Sequence, residues 1–422
     1  MKKFLFLFVF TFISVNAQVD FNDYFLDKTL RLDFYHYGNS NTETFTFDEL
    51  IEEPYWGGSK VNLVDTFNYG YYMMKVYDDS TNQLIYSRGF STLFQEWQTT
   101  EEAKHIYRTY PGSVVFPYPK AKVKVEIYRR DKMNVFQKKF EYVVDPESYF
   151  IKKERKMVFD NFKVHYAGDP SQKLDIVLIP EGYTKEEMDD FKKECKIFAD
   201  FLFEYSPFKE NEDNINVWGI EGFSKDSGVD IPGEHVWKNT LLNSNYYTFD
   251  SERYLMTVDF QSVRDVAANA PYDQIYILAN SDKYGGGAIY NFYSLTAVKN
   301  VKAKQVFIHE LGHGLAGLAD EYGYDDTYQD MYPEGVEPWE VNITTLVDFD
   351  SKWKSLVDKD TPIPTPQDSA YYGKLGAFEG AGYVGKGVYR PTYNSIMRAF
   401  DSNEFNIVCK EALDKVIKFY AE

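Results

Sequence analysis

Only two cysteines, Cys195 and Cys409, occur in the 422-residue chain. So few exclude a disulfide-stapled scaffold and any four-cysteine zinc module. Histidine is almost as scarce, with six. Basic side chains are also short in supply: 46 Lys and Arg face 65 Asp and Glu, giving a formal charge of −19. That deficit argues against nucleic acid or an anionic membrane surface as partner. Beyond residue 17 no stretch approaches the 18 or so consecutive apolar residues of a membrane span. Aromatic residues, in contrast, are abundant: 36 Tyr, 34 Phe and 6 Trp in a chain that is 44% hydrophobic. Disorder and collagen-like repeats are excluded by that composition. The length suits two or three domains and can bury a sizeable core.

Residues 1–17 read as a secretory signal peptide. Lys2 and Lys3 form a basic start, residues 4–15 are one apolar run, and Val15-Asn16-Ala17 suits cleavage before Gln18. The run is too short to span a membrane comfortably. Losing the segment removes two lysines and no acids, which moves the charge from −19 to −21. An exported compartment would let Cys195 and Cys409 pair; two buried free thiols are the alternative.

Residues 18–150 are expected to form a β-rich accessory domain of sandwich type. Apolar residues alternate in Leu30-Arg31-Leu32-Asp33-Phe34, the period of a half-buried strand. Val123, Val125 and Ile127 repeat it, and a turn at 131–134 leads into Val135, Phe136 and Phe140 as a hairpin. The boundary is placed at Asp145-Pro146 and the basic stretch 152–156.

From 151 to 422 strands and helices alternate. Residues 174–179, 215–220 and 272–278 read as buried strands. Thr184 and Glu187 make a capping box before Met188, Phe191, Cys195, Phe198 and Leu202, which share one helical face. A final amphipathic helix is expected over 404–420, with Val408, Ala412, Val416 and Phe419 on one side. The segments 221–260 and 323–395 read as long loops that shape a site or hide small elements.

The chemical signal lies at His309-Glu310-Leu311-Gly312-His313. Histidines at i and i+4 on a helix project from one face, where two ring nitrogens can bind one zinc ion. Glu310 is not a ligand in this pattern. It is placed to take a proton from the attacking water and pass it to the leaving amine. Six histidines in 422 residues make such a pair hard to assign to composition.

A third ligand must come from elsewhere. Gly317 can end the helix in a left-handed turn and swing Asp320 back across the metal. Metzincins carry a histidine six residues after the second helix histidine, whereas this acid comes seven after. Asp320 is the first choice, Glu321 the alternative and His235 a remote third. Asp325, Asp326 and Asp330 make the following stretch acidic. Calcium there is the weaker alternative to a solvated loop. Met397, in Asn394-Ser395-Ile396-Met397-Arg398, is a candidate for the methionine turn under the zinc. Gly286, in Tyr284-Gly285-Gly286-Gly287, is a candidate for an edge strand that pairs with extended substrate. Tyr322 or Tyr393 could assist the oxyanion.

The stretch His309-Glu310-Leu311-Gly312-His313-Gly314-Leu315-Ala316-Gly317-Leu318-Ala319-Asp320-Glu321-Tyr322 resembles the active-site signature of the IgA metallopeptidase family of secreted bacterial zinc endopeptidases. Residues 179–184, 226–230, 284–287, 389–391 and 395–398 are similar too, so the resemblance spans roughly 160–420. The β-rich 18–150 resembles the domain found in front of such peptidases. The resemblance implies an α+β fold: a metzincin-like zinc peptidase domain, a twisted mixed sheet plus helices, preceded by a β-sandwich-like domain. It implies zinc ligation by His309 and His313, acid/base catalysis by Glu310, and a methionine-turn role for Met397. Specificity does not transfer with a fold.

The sequence thus points to a secreted zinc endopeptidase acting on host or dietary (glyco)proteins, with one catalytic Zn2+. Two alternatives are a zinc amidase or aminopeptidase, and a non-enzymatic surface-binding protein with structural zinc. Oligomeric state leaves no trace in the sequence.

Overall fold

Residues 19–324, 331–333 and 335–422 are described by a computed structural model. The expected signal peptide and the acids Asp325, Asp326 and Asp330 lie outside the described residues.

The first half is built from two antiparallel sheets. One has the strand order Glu43–Glu53, Phe25–Gly38, Arg108–Pro119; the other runs Leu84–Phe90, Tyr72–Asp78, Val123–Arg130, Phe136–Val144. Leu30, Leu32 and Phe34 from the first meet Met74, Val76, Val125 and Ile127 from the second in one apolar core. The period-two pattern is what puts those side chains on the inner faces. The hairpin turns at 131–134, where the Asp131 carboxylate accepts the N–H groups of Met133 (2.9 Å) and Val135 (3.0 Å).

The outer face of Phe25–Gly38 departs from expectation. Arg31 and Asp33 do not face water; both are buried. Arg31 pairs with Asp33 (3.0 Å), Glu53 (3.3 Å) and, from the second half of the chain, Asp265 (2.7 Å). The helix Phe260–Ala267 covers this face, so the polar half of the alternation becomes an inter-domain ion cluster. Three carboxylates around one guanidinium meet the rule that buried charges are paired.

The second half is organised on a six-stranded mixed sheet, ordered Gly286–Ile289, Tyr293–Ala297, Gln274–Ala279, Leu174–Glu181, Ile215–Ile220, Asn161–His165. The four central strands are parallel and each edge strand is antiparallel to its neighbour. Central strands read as apolar runs because both sheet faces are covered. Leu174, Ile176 and Leu178 pack under the helices Met188–Leu202, Ala303–Ala316 and Ile407–Ala421. Val177 and Ile179 point the other way, into a cluster shared with Phe260 and with Leu93, Phe94 and Trp97 of the first half. The two halves therefore share a core.

The first helix starts behind the Thr184/Glu187 capping box and buries Met188, Phe191, Cys195, Phe198 and Leu202. The last begins at Ile407 rather than 404, because the Asn406 side chain accepts the Cys409 N–H as its N-cap. Cys195 and Cys409 are both buried and free. Among the described residues no helix is long and apolar enough to cross a membrane.

The long loops are held by specific bonds. Buried Glu181 accepts from the Thr240 and Ser244 hydroxyls (both 2.7 Å) and from the Leu242 and Ser244 N–H groups (2.9 and 2.8 Å), pinning 221–260. The segment 323–395 hides a small sheet of Gly323–Tyr324, Tyr383–Arg390 and Phe378–Ala381.

Candidate metal centre

The helix Ala303–Ala316 lies over the edge strand Gly286–Ile289. Its approach depends on Gly286, where a Cβ would sit 2.6 Å from Val306 Cγ1 and 2.8 Å from the Leu295 carbonyl oxygen. Gly317 closes the helix in the left-handed region (φ 59°, ψ 33°), with its N–H on the His313 carbonyl at 3.0 Å. Residues 318–320 then turn back over the histidines.

His309 and His313 project side by side, with their Nε2 atoms 3.0 Å apart. Asp320 Oδ1 lies 3.1 Å from one Nε2 and 3.4 Å from the other. Each ring is oriented from behind. His309 Nδ1 meets the Ile396 carbonyl at 3.0 Å, and His313 Nδ1 meets that of Leu318. A carbonyl can only accept, so both Nδ1 atoms carry the proton. In the neutral rings both Nε2 atoms then present lone pairs to each other and to the carboxylate. Such a set repels itself unless a cation sits within it.

The fit to a metal is close. Ligand bonds of about 2.0–2.1 Å at tetrahedral angles give ligand–ligand edges of about 3.3 Å. The observed edges bracket that value, and two nitrogens with one carboxylate oxygen are a zinc-type donor set. Asp320 Oδ1 is buried without a hydrogen-bond partner, while Oδ2 accepts the Tyr383 hydroxyl. Burial pulls the His313 imidazole down, but the Asp320 carboxylate outweighs it and lifts it to about 9. Burial also opposes the Asp320 charge; His313 and His309 overcome that and hold the carboxyl well below its usual range. A field that holds a proton so firmly also attracts a dication.

Met397 sits in a tight turn in which the Arg398 and Ala399 N–H groups both bond the Ser395 carbonyl at 3.0 Å. Its buried side chain lies under the helix at Gly312, where a Cβ would be 3.0 Å from Met397 Sδ. Glu321 points away from the triad. Its Oε1 accepts from Asn342 (3.0 Å) and Asn406 (2.8 Å), and Oε2 accepts from Ser395 (2.5 Å). That carboxylate ties the turn to the last helix. His235 is exposed at the end of a distant 3₁₀ turn and is not in the triad.

The triad opens on a cleft of about 650 Å³ that Glu310 and Gly286–Ile289 also line. Burial pushes the Glu310 carboxyl up, opposed by His309 and His313. Tyr322 lines the cleft; Tyr393 does not, and instead stacks on Tyr372 at 3.7 Å. Two contributors escaped the sequence reading. Tyr383 reaches Asp320 from 63 residues away, at a positive φ of 66°. Glu96 of the first half lines the cleft and accepts the Tyr254 hydroxyl at 2.6 Å. Neither is foreshadowed by local spacing.

Comparison with known proteins adds two findings. The family model described as IgA Peptidase M64 matches residues 162–374 and 367–417. The model described as Peptidase M64 N-terminus matches residues 20–141. No curated protein matches the chain.

Proposed function

The chain belongs to the IgA peptidase M64 family, and from that premise we propose that it is a secreted zinc-dependent endopeptidase that cuts host or dietary (glyco)proteins. The carrying observation is the convergence of His309 Nε2, His313 Nε2 and Asp320 Oδ1, within 4.8 Å of one another, at a cleft beside Glu310. Export rests on the leader-like residues 1–17.

His309, His313 and Asp320 would hold the metal, and zinc bound there would supply a Lewis acid able to polarise a scissile carbonyl and to acidify water. The Glu310 carboxylate takes the proton from the attacking water. It then delivers that proton to the amide nitrogen, so that the amine leaves neutral. Burial favours the protonated form of Glu310, which suits the second step. Gly286–Ile289 is the edge strand of the sheet, and its residues beyond Gly286 are the ones that can pair with extended substrate, because the Gly286 N–H meets the Arg253 carbonyl at 3.4 Å and Tyr254 bridges that position.

Digestion of a complex proteome, read by mass spectrometry, tests the reading. Internal cuts that a chelator abolishes are expected. Trimming of one chain end alone would replace it with an aminopeptidase, and unaltered peptides in the presence of zinc would refute it.

A further inference from the structure

The cleft has a wall that the chemistry above does not use. Ser91, Thr92, Gln95, Glu96, Thr99 and Thr100 line it, and all belong to the N-terminal domain. This segment is locked to the catalytic half. Leu93, Phe94 and Trp97 are buried in the cluster that holds Val177 and Ile277 of the central sheet. Glu96 Oε2 takes the Tyr254 hydroxyl at 2.6 Å, and Tyr254 in turn bridges Gly286 of the edge strand. The first domain is therefore part of the cleft by construction.

Glu96 is placed to do more than anchor. Among the described residues its Oε1 has no hydrogen-bond partner and no Lys or Arg pairs with it, so burial pushes the carboxyl up to about 7 with no Lys or Arg to offset it. The two arginines of the cleft are turned elsewhere. Arg398 lies over the Tyr393 ring at 5.1 Å, and Arg253 is drawn to Tyr322. The Tyr254 and Phe249 rings, 5.9 Å apart, flank the same part of the cleft. A carboxylate with a spare oxygen beside aromatic rings is the chemistry that recognises an ammonium or guanidinium on an apolar stem.

We propose that the N-terminal domain completes the substrate cleft and that Glu96 is its specificity-determining residue, taking a lysine or arginine side chain of the bound polypeptide. The proposal rests on the peptidase reading for the location of the substrate, and its test separates the two. The probe is one decapeptide frame in which lysine, arginine, norleucine or glutamate is placed at each position in turn. Binding is measured by titration calorimetry to the zinc-loaded full chain carrying Glu310→Ala, so no turnover is required. At one position, lysine and arginine are expected to bind on the order of tenfold tighter than norleucine. With Glu96→Gln added, the ratio falls to near one, because Gln can still accept from Tyr254 but carries no charge.

A scan with no position that prefers a cation overturns the proposal without needing any change at residue 96. So does a preference that survives Glu96→Gln, or a chain that binds none of the peptides. Cleavage of the same peptides by the chain with Glu310 intact judges the other reading. Cutting without cation preference sinks the subsite alone. Preferential binding without cutting sinks the peptidase reading and leaves the subsite.

Discussion

Replacing Tyr383 with phenylalanine removes one oxygen and leaves the ring packed 5.3 Å from that of Tyr322. The backbone that carries it is held independently, since the Gly382 N–H bonds the Asp320 carbonyl (2.8 Å) and the Tyr383 N–H bonds that of Tyr322 (2.9 Å). What is lost is the hydroxyl that bonds Asp320 Oδ2, the oxygen opposite the one that faces the histidines, together with its bond to the Tyr322 hydroxyl, which does not reach the triad. A hydrogen bond to a charged acceptor is worth about 1.5–3 kcal/mol. Supporting bonds behind metal ligands change affinity by about 10–100-fold, or roughly 1.4–2.7 kcal/mol. The two figures agree, so Tyr383→Phe is expected to weaken zinc binding by at least tenfold. Competition against a fluorescent chelator at fixed pH reads the dissociation constant, and near-ultraviolet circular dichroism of the metal-free chains checks the fold. An unchanged constant in a properly folded variant would refute the assignment of Tyr383 as the group that orients Asp320.

Other expectations follow from the same geometry. Asp320→Ala should lose bound zinc in metal analysis, whereas Glu321→Gln should keep it and melt earlier, because the Glu321 carboxylate serves buried donors and not the triad. Gly312→Ala gains about 1 kcal/mol of helix propensity but places a Cβ 3.0 Å from Met397 Sδ and 3.1 Å from Phe405 Cε1. Overpacking costs about 1–3 kcal/mol, so a net fall in Tm is expected, and a rise would show that the floor yields. Asp175 Oδ2 is buried without a partner, the Asp273 carboxyl lies beside it and accepts the Asp175 N–H at 2.8 Å, and burial lifts both carboxyls, that of Asp175 to about 7. In the unfolded chain it ionises near pH 4. Its contribution is therefore complete below that pH and is lost as pH rises through about 7. Asp175→Asn should gain stability relative to the parent as pH rises from 5 to 8, because the variant has one fewer of the two buried carboxyls to ionise. Denaturant melts at the two pH values measure this, and a gap that does not widen counts against it.

The site was legible where its geometry is local. The i, i+4 pairing of His309 and His313 needs only a helix, and the return of Asp320 needs only a left-handed residue at Gly317, which the structure has. The sequence ranks Asp320 above Glu321 but does not show what Glu321 does, because its role is set by Asn342, Ser395 and Asn406, which arrive from distant segments. Tyr383 was hidden among 36 tyrosines for the same reason. In the fold, alternation marked the inner face of Phe25–Gly38 correctly. It misread the outer face, because nothing local announces that Asp265 will cover Arg31. Residues 18–150 carry no local pattern of metal-ligand residues, and so nothing in their sequence points to the cleft. Their part in the cleft comes from tertiary packing of Leu93, Phe94 and Trp97 against the central sheet.

In the proposed mechanism the triad holds a catalytic zinc and Glu310 moves the proton. Zinc content and casein cleavage, measured side by side on the parent chain and on Glu310→Gln, test it most directly. One zinc per chain is expected in both proteins, with cleavage in the variant lower than in the parent by about 10²–10⁴-fold. A Glu310→Gln chain that retains its zinc and cuts casein at the parent's rate would contradict that mechanism.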